Sequence, residues 1–215
     1  MENRYEEEYN RLAERYRVET YIKPSSRLIF ILESPHIAEV KYGVPVAGAS
    51  GATMAKKLFG QEYNKPLGLL LKKHDEDETD RPSLDAIGLL NVCNIPMQKR
   101  PYDQKDIESA KALLERFEVI RKYNHKDAFK DEELNKVQSF ILSKFRERLN
   151  KLTDVEVTFV PCGRFAQKFF RLADVTSEKW TIIEGVPHPS YNSWSRERYE
   201  EPVSNVIEAL NRHKV

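Results

Sequence analysis

The sequence predicts an α/β fold, a three-layer α/β/α sandwich around a central four-stranded parallel sheet. Four short runs are rich in apolar residues, and stretches of helical periodicity separate them; the runs cover residues 28–32, 86–93, 155–160 and 180–183. A strand that is apolar at successive positions is buried on both faces, as in a parallel sheet covered by helices. Strands that alternate with helices predict the parallel sheet itself.

Apolar residues at three- and four-residue steps predict the helices. These cover residues 2–17, 51–58, 67–73, 107–117, 134–145, 163–171 and 200–211. Glycines and prolines predict loops over residues 37–51 and 95–103, and a run of charges predicts a solvated acidic loop over residues 74–80.

The chain of 215 residues has the length of one domain, enough to bury roughly 70 % of its unfolded surface. Without repeats or linkers, we expect a single domain over residues 1–215, with a helical insertion at about residues 104–150. The net charge of +1 favours neither nucleic acid nor membrane, so phosphate binding would need a local basic patch.

Cys93 and Cys162 fall in or beside apolar runs. Two cysteines are too few for an iron–sulfur cluster or an all-cysteine zinc site, so we expect buried free thiols in a reducing cytosol and no metal or other cofactor. The amino end is charged, and no apolar run approaches about 18 residues. We therefore expect no secretion signal and no membrane span, and hence a cytoplasmic protein.

Polar residues follow each predicted strand. They are Glu33, Ser34 and His36 after the first, Asn91 and Asn94 at the end of the second, Gly163 and Arg164 after the third, and residues 188–194 after the fourth. The carboxyl ends of parallel strands meet at one edge, where open α/β sheets bind ligands. The sequence therefore predicts a single crevice lined by all four clusters.

The order of these clusters resembles that of the uracil-DNA glycosylase superfamily, from Leu28 to Leu210. The matching segments are Leu-Glu-Ser-Pro-His at 32–36, Leu-Leu-Asn-Val at 89–92, Pro-Cys-Gly-Arg-Phe-Ala-Gln-Lys at 161–168 and His-Pro-Ser at 188–190. The glycine spacing of residues 43–51 is most similar to the branch that carries an iron–sulfur cluster, although the cluster cysteines are missing. The resemblance implies base excision, the hydrolysis of the N-glycosidic bond of uracil or another modified base flipped out of single- or double-stranded DNA.

The resemblance also implies roles in the pocket. Asn91 would read the base edge with its paired donor and acceptor, and neutral His188 would donate to the carbonyl oxygen that gains charge. Glu33, or Ser34 through a water, would position or activate the attacking water. The other residues expected to contact the base are His36, Val46 and Tyr42.

DNA contacts are implied beside this pocket. Ser190 and the amides of Gly163 and Arg164 would hold phosphates, and Tyr191 or Trp194 would enter the gap that the flipped base leaves. A basic rim would be formed by Lys99, Arg100, Arg164, Lys168, Arg196 and Arg198.

Three positions depart from the family pattern. Ser34, a poor base at neutral pH, stands where the most active branches carry Asp or Asn. Val46 replaces the aromatic residue that stacks on uracil, and the most similar branch has Gly where this chain has His36. Three functions therefore stay open: a DNA glycosylase, a catalytically weak or inactive protein that binds nucleic acid or a nucleotide on the same fold, and a hydrolase of a free nucleoside or similar small molecule.

Overall fold

A computed structural model of the protein describes residues 2–77 and 82–213. Within them the chain forms an α/β fold with one four-stranded, all-parallel sheet and helices on both faces. The strands are β1 (Leu28–Leu32), β2 (Ile87–Asn91), β3 (Val157–Pro161) and β4 (Trp180–Ile182). The predicted three-layer α/β/α arrangement is confirmed.

The helices account for most of the remaining chain. They are α1 (Glu2–Tyr16), α2 (Ile37–Tyr42), α3 (Ala49–Phe59), α4 (Leu67–Asp77), α5 (Pro82–Asp85), α6 (Gln104–Ser109), α7 (Lys111–Lys122), α8 (Glu132–Asn150), α9 (Gly163–Ala173) and α10 (Glu200–Asn211). Two short 3-10 helices, Ser190–Ser195 and Glu197–Tyr199, lie between β4 and α10. In the part of the chain that the structure describes, no helix combines the length and apolar character needed to cross a membrane.

The strand order β2-β1-β3-β4 changes direction at β1. From β1 the chain passes to β2 on one side and later returns to β3 on the other. The carboxyl ends of β1 and β3 therefore flank the topological switch point, where open α/β sheets form a ligand crevice. Glu33 and Ser34, which follow β1 directly, stand at this point.

Successive side chains of β1 pack into two separate cores. Ile29 and Ile31 join the core that involves α1, α7, α8 and α9. Leu28, Phe30 and Leu32 join the core that involves α3, α4 and α10. Because strand side chains alternate between faces, a strand between two helical layers needs an uninterrupted apolar run.

The prediction of a continuous loop over residues 37–51 is wrong, because α2 and the start of α3 lie there. A capping box between His36 and Glu39 stabilises α2, and Gly43 ends it in a left-handed conformation with φ 68°. Gly43 thus marks the end of α2, and Gly48 precedes the first residue of α3. Residues 74–77 extend α4, and residues 78–80 of the predicted acidic loop lie outside the described residues.

Both cysteines are buried free thiols, as predicted. Burial raises the pKa of the Cys93 thiol to about 12. This thiol therefore stays protonated and inert at neutral pH.

The insertion between β2 and β3 holds three helices, α6 to α8, where two were predicted. Helix α8 anchors the end of β2 through Arg148. Its guanidinium group donates to the carbonyl oxygens of Asn91 and Val92, each at 2.5 Å, and to the side-chain oxygen of Asn94. These acceptors lie where the strand stops, so Arg148 fixes the backbone that carries Asn91.

Removal of this anchor should destabilise the fold. We expect Arg148→Met to lower the free energy of unfolding by about 3 kcal/mol, because three acceptors lose a charged donor. Urea denaturation followed by circular dichroism measures the loss. Arg146→Met on the same helix is the matched control: Arg146 donates to the Ala173 and Leu172 carbonyls from an exposed position, and its loss should cost less than about 1 kcal/mol. Equal losses would contradict the anchoring role.

Candidate active site

A cavity of about 460 Å³ opens at the carboxyl edge of the sheet, where β1 ends. We call it the switch-point cavity. Residues predicted from the sequence line it: Glu33, Ser34, His36, Val46, His188, Ser190 and Tyr191. They come from the segments after β1 and β4 and from the loop before α3, so distant parts of the chain meet in one site.

Glu39 also lines this cavity, although it is not among the predicted site residues. Its Oε2 accepts a hydrogen bond from the His36 amide, and its Oε1 accepts one from the Val46 amide, both at 2.7 Å. The carboxylate thereby joins the start of α2 to the loop before α3. Glu39 is buried, with only 9 % of the residue exposed. A Glu three residues after an N-cap is the sequence signal of such a capping box.

Burial raises the pKa of Glu39 to about 7. The hydrogen bonds from the Val46 and His36 amides and the nearby Asn91 amide act in the opposite direction, and the charge of Glu33 adds to the effect of burial. The group therefore changes its protonation state near neutral pH, within the wall of the cavity.

Val46 adopts a left-handed conformation, with φ 48°. A β-branched residue is strained there, and the hydrogen bond to Glu39 helps to hold it. This conformation of Val46 also requires glycine at position 51, because a Cβ atom there would lie 1.7 Å from the Val46 carbonyl oxygen. Val46 is thus fixed in the cavity wall, where it offers an aliphatic surface in place of a ring.

Glu33 faces the cavity as an ion pair with Arg121, which extends from α7. The Arg121 Nε donates to Glu33 Oε1. The sequence shows no signal that separates Arg121 from other arginines of the insertion, because the contact depends on tertiary packing. Ser34, the neighbouring residue, accepts a long hydrogen bond of 3.4 Å from the Met97 amide.

His188 is held by Ser190 in the next turn. The His188 Nδ1 accepts a hydrogen bond from the Ser190 amide at 3.2 Å and lies 2.9 Å from the Ser190 hydroxyl. Because a backbone amide can only donate, Nδ1 carries a lone pair, and the neutral ring carries its proton on Nε2.

Burial is the main cause that lowers the pKa of His188; the charge of Glu33 opposes it and that of Arg121 adds to it. The imidazole is therefore neutral at pH 7. His188 thus lines the cavity as an uncharged imidazole that carries its proton on Nε2.

Gly163 seats the His188 segment against α9. Its φ is 85°, and a Cβ atom there would lie 2.8 Å from the Cβ of His188. The Gly163 amide donates to the Val186 carbonyl at 2.9 Å. This amide is therefore already engaged, which corrects the expectation that it holds a phosphate.

Asn91 lies behind the cavity wall instead of in it, and is 1 % exposed. Within the described residues, neither its Oδ1 nor its Nδ2 has a partner at hydrogen-bond geometry, although the amide is close enough to Glu39 to lower the pKa of that carboxyl. Unpaired buried polar atoms cost about 1–3 kcal/mol each, so their presence here calls for a functional explanation.

Two predicted residues lie away from the cavity. Trp194 is buried, its indole N–H donates to the Pro187 carbonyl at 2.9 Å, and its ring packs near Phe30. It belongs to the core, so its predicted insertion between bases is wrong. Tyr42 does not line the cavity and lies exposed on α2 beside the Lys41 ammonium group. Tyr191, 89 % exposed, is the aromatic residue of this loop that remains accessible.

Part of the predicted basic rim is present next to the switch-point cavity. Arg164, Arg196 and Arg198 line an adjoining cavity together with His188 and Tyr191. Other members are differently placed: Lys168 is buried, and Lys99 lies 3.6 Å from the Glu118 carboxylate.

In residues 2–77 and 82–213, no three His, Cys, Asp or Glu side chains are grouped so that they could hold a metal ion. A scan against protein-family models and a search of curated proteins found no match to this chain. The geometry of the switch-point cavity therefore carries the functional assignment.

The raised pKa of Glu39 predicts a pH-dependent stability. In the folded protein this carboxyl group binds its proton more tightly than its ordinary pKa of 4.5 implies. Its contribution is full below about pH 4.5 and is lost as the pH rises through about 7. We expect the unfolding free energy of the wild type, relative to Glu39→Gln, to fall by roughly 2–3 kcal/mol between about pH 5 and about pH 8.

Urea denaturation across this pH range measures that difference. The matched control is Glu14→Gln, which removes an exposed carboxyl group on α1. Its difference from the wild type should stay constant over the same range. A constant or rising difference for Glu39→Gln would show that the carboxyl is not buried as described.

Gly163→Ala should destabilise the protein by about 3 kcal/mol, since it adds a collision with His188 to the cost of a left-handed backbone. Gly43→Ala separates the two effects, because Gly43 also has a positive φ, 68°, but a Cβ atom there meets nothing within 4 Å. The control should cost about 1 kcal/mol. Thermal or urea denaturation compares them, and equal costs would rule out the close approach to His188.

Proposed function

We propose that the protein is a DNA glycosylase that hydrolyses the N-glycosidic bond of uracil or another modified base flipped out of DNA. The observation that carries the proposal is the convergence of Glu33, Ser34 and His188 on one cavity, with His188 held as a neutral N–H donor. The motif order that resembles the uracil-DNA glycosylase superfamily supports it. The cavity, at about 460 Å³, has the size of a small-ligand site.

In the proposed reaction, the bond between C1′ of the deoxyribose and the ring nitrogen of the base breaks, and its electron pair leaves with the base. The His188 Nε2–H would donate to the carbonyl oxygen on which this negative charge collects. A donor of this kind is worth about 10²–10³ in rate. A neutral imidazole suits the role because it need not change its own charge during the reaction.

A water molecule would supply the hydroxyl group at C1′, and its proton would pass to a base on the cavity wall. Glu33, which lines the cavity and is held by Arg121, would be this base. The Ser34 hydroxyl would hold the water by a hydrogen bond, since it is too weak a base to take the proton itself.

Asn91 and Glu39 would recognise the base together. Glu39 lines the cavity, and Asn91 approaches it from the buried side. The Asn91 amide would therefore act through Glu39, by lowering the pKa of the carboxyl group that meets the base edge. With a pKa of about 7, this carboxyl can act as an acceptor or as a donor near neutral pH.

The second candidate is a protein that binds nucleic acid or a nucleotide without cleaving it, and the ion pair of Glu33 and Arg121 favours it. Arg121 offsets the negative charge of Glu33, which would otherwise stabilise the positive charge that develops on the sugar. It also engages the carboxylate that would accept the proton of water. Both candidate functions would use the same cavity, so cleavage distinguishes them.

The direct test is an excision assay with single- and double-stranded oligonucleotides that contain uracil, followed by alkali to break abasic strands. We expect cleavage by the wild type, a loss of about 10²–10³ in rate for His188→Ala, and a comparable loss for Asn91→Ala. His188→Gln should retain part of the activity, because its amide can still donate.

His213→Ala is the matched control for the loss of an imidazole. His213 follows α10 and lies near Arg27, at the amino end of β1 and thus at the opposite edge of the sheet. Its removal should leave the rate unchanged. If no base in a panel of modified bases is excised but the oligonucleotides bind in a salt-sensitive way, the second candidate is the better description of the protein. If the oligonucleotides are neither bound nor cleaved, both candidates are ruled out and a small-molecule hydrolase is favoured.

A further inference from the structure

The switch-point cavity is the first of three neighbouring cavities, each of which shares lining residues with the next. It shares His188, Ser190 and Tyr191 with a second cavity of about 380 Å³. The second cavity shares lining residues with a third, of about 570 Å³; these are Asn124, Arg164, Gln167 and Gly185. The second cavity thus adjoins the other two, and we call the three together the trough.

One wall of the entire trough is the segment from Arg121 to Asp127, which we call the α7 turn. Arg121 lines the first cavity, Asn124 lines the second and third, and His125 lines the third. One short segment of the helical insertion therefore lines all three cavities.

The α7 turn is held in place by buried contacts. The Nζ of Lys168 donates to the Lys126 carbonyl at 2.8 Å and to Gln138 Oε1 at 2.7 Å. The Gln138 side chain donates in turn to the Asp127 carbonyl at 2.6 Å. Since Lys168 is itself buried, the backbone of the turn is fixed from beneath while its side chains face outward.

The outer surface of the turn combines an aromatic ring with free positive charge. Tyr123 is exposed, and the ammonium groups of Lys122 and Lys126 lie 5.5 Å and 4.9 Å from its ring centre. These three side chains line none of the three cavities, so they form a surface beside the trough on the same turn as Asn124. Across residues 2–77 and 82–213, neither lysine forms an ion pair within 4.0 Å. Two ammonium groups without carboxylate partners beside an exposed ring are typical of surfaces that bind a nucleic-acid strand.

The loop of Tyr191 also combines an exposed ring with cations. Tyr191 is exposed, and Arg196 donates to its carbonyl oxygen at 3.1 Å. Arg164 and Arg198 line the second cavity beside it. Among the residues that the structure describes, the lining of the second cavity therefore holds three arginines and no carboxylate. The first cavity has Glu33 and Glu39 beside Arg121, and the third has Asp174 and Glu184 beside its cations, so the second cavity carries the positive charge.

We propose that the α7 turn and the loop of Tyr191 flank a binding site for a single DNA strand, which continues from the trough across the outer surface of the α7 turn, beyond the flipped nucleotide. This inference rests on the proposed function, because it assigns the substrate as single-stranded. Cations would follow the phosphates, and Tyr123 and Tyr191 would stack on bases that are accessible only when unpaired. In a duplex these base faces are covered by stacking, so duplex DNA would lose the ring contacts.

The test uses a fluorescent, uracil-free single strand of about 12 nucleotides, the size of single-strand sites, and the duplex of the same length. Anisotropy titrations at low and at physiological salt give Kd. We expect the double variant Lys122→Ala/Lys126→Ala to weaken single-strand binding roughly tenfold and to reduce the salt slope by about 1.4, at 0.7 per charge. Tyr123→Ala should weaken it by about tenfold with an unchanged salt slope.

The matched control is Lys56→Ala/Lys57→Ala, which removes two exposed lysines from the carboxyl end of α3. This end lies about 10 Å along the helix axis from Ala49, which lines the switch-point cavity. The control should bind like the wild type. Duplex binding as tight as single-strand binding, or equal effects of the two double variants, would overturn the inference.

The probe contains no uracil, so these results do not depend on excision. If uracil is excised and the α7 turn variants bind normally, this inference fails while the proposed function stands. If nothing is excised but single-strand binding depends on Lys122, Lys126 and Tyr123, the proposed function fails and the trough remains.

Discussion

The two hydrogen bonds accepted by Glu39 are the constraint on which the site depends. They close the segment between His36 and Val46 into a compact wall and hold Val46 in a left-handed conformation. A buried carboxylate with a pKa of about 7 is a costly way to hold a loop, since burial opposes its charge. The cost is understandable in a site where the same group also faces a cavity, because stability is commonly given up at functional positions.

Charge in the switch-point cavity is arranged around a neutral histidine. Glu33 and Arg121 form an ion pair, and their opposite effects on the pKa of His188 partly cancel, so burial keeps the ring uncharged. Arg121 comes from the inserted helices, which makes the insertion part of the site. The same segment continues along the neighbouring cavities, and this connects the chemistry at the end of β1 with the surface proposed to bind a strand.

The fold could be predicted from the sequence because β1 must supply side chains to two cores, which requires an unbroken apolar run. His188 and Glu33 could be predicted because parallel strands end at one edge. Glu39 carried a capping-box signal within a segment whose glycines suggested a loop. Arg121 and the burial of Trp194 depend on tertiary packing that no local pattern encodes. Gly163 was placed correctly in the chain, but its role is steric, since its amide is bonded to Val186.

The central claim is that His188 presents a neutral Nε2–H to the cavity, and a long-range proton–nitrogen-15 correlation spectrum measures this directly. The protein has five histidines, so the signals of His188 can be assigned by comparison with His188→Gln. We predict the Nε2–H tautomer at about pH 7, and a ring that is still mainly neutral at about pH 6.5, because burial lowers its pKa below the ordinary value. A ring protonated on Nδ1 alone, or a charged ring at about pH 7, would contradict the account.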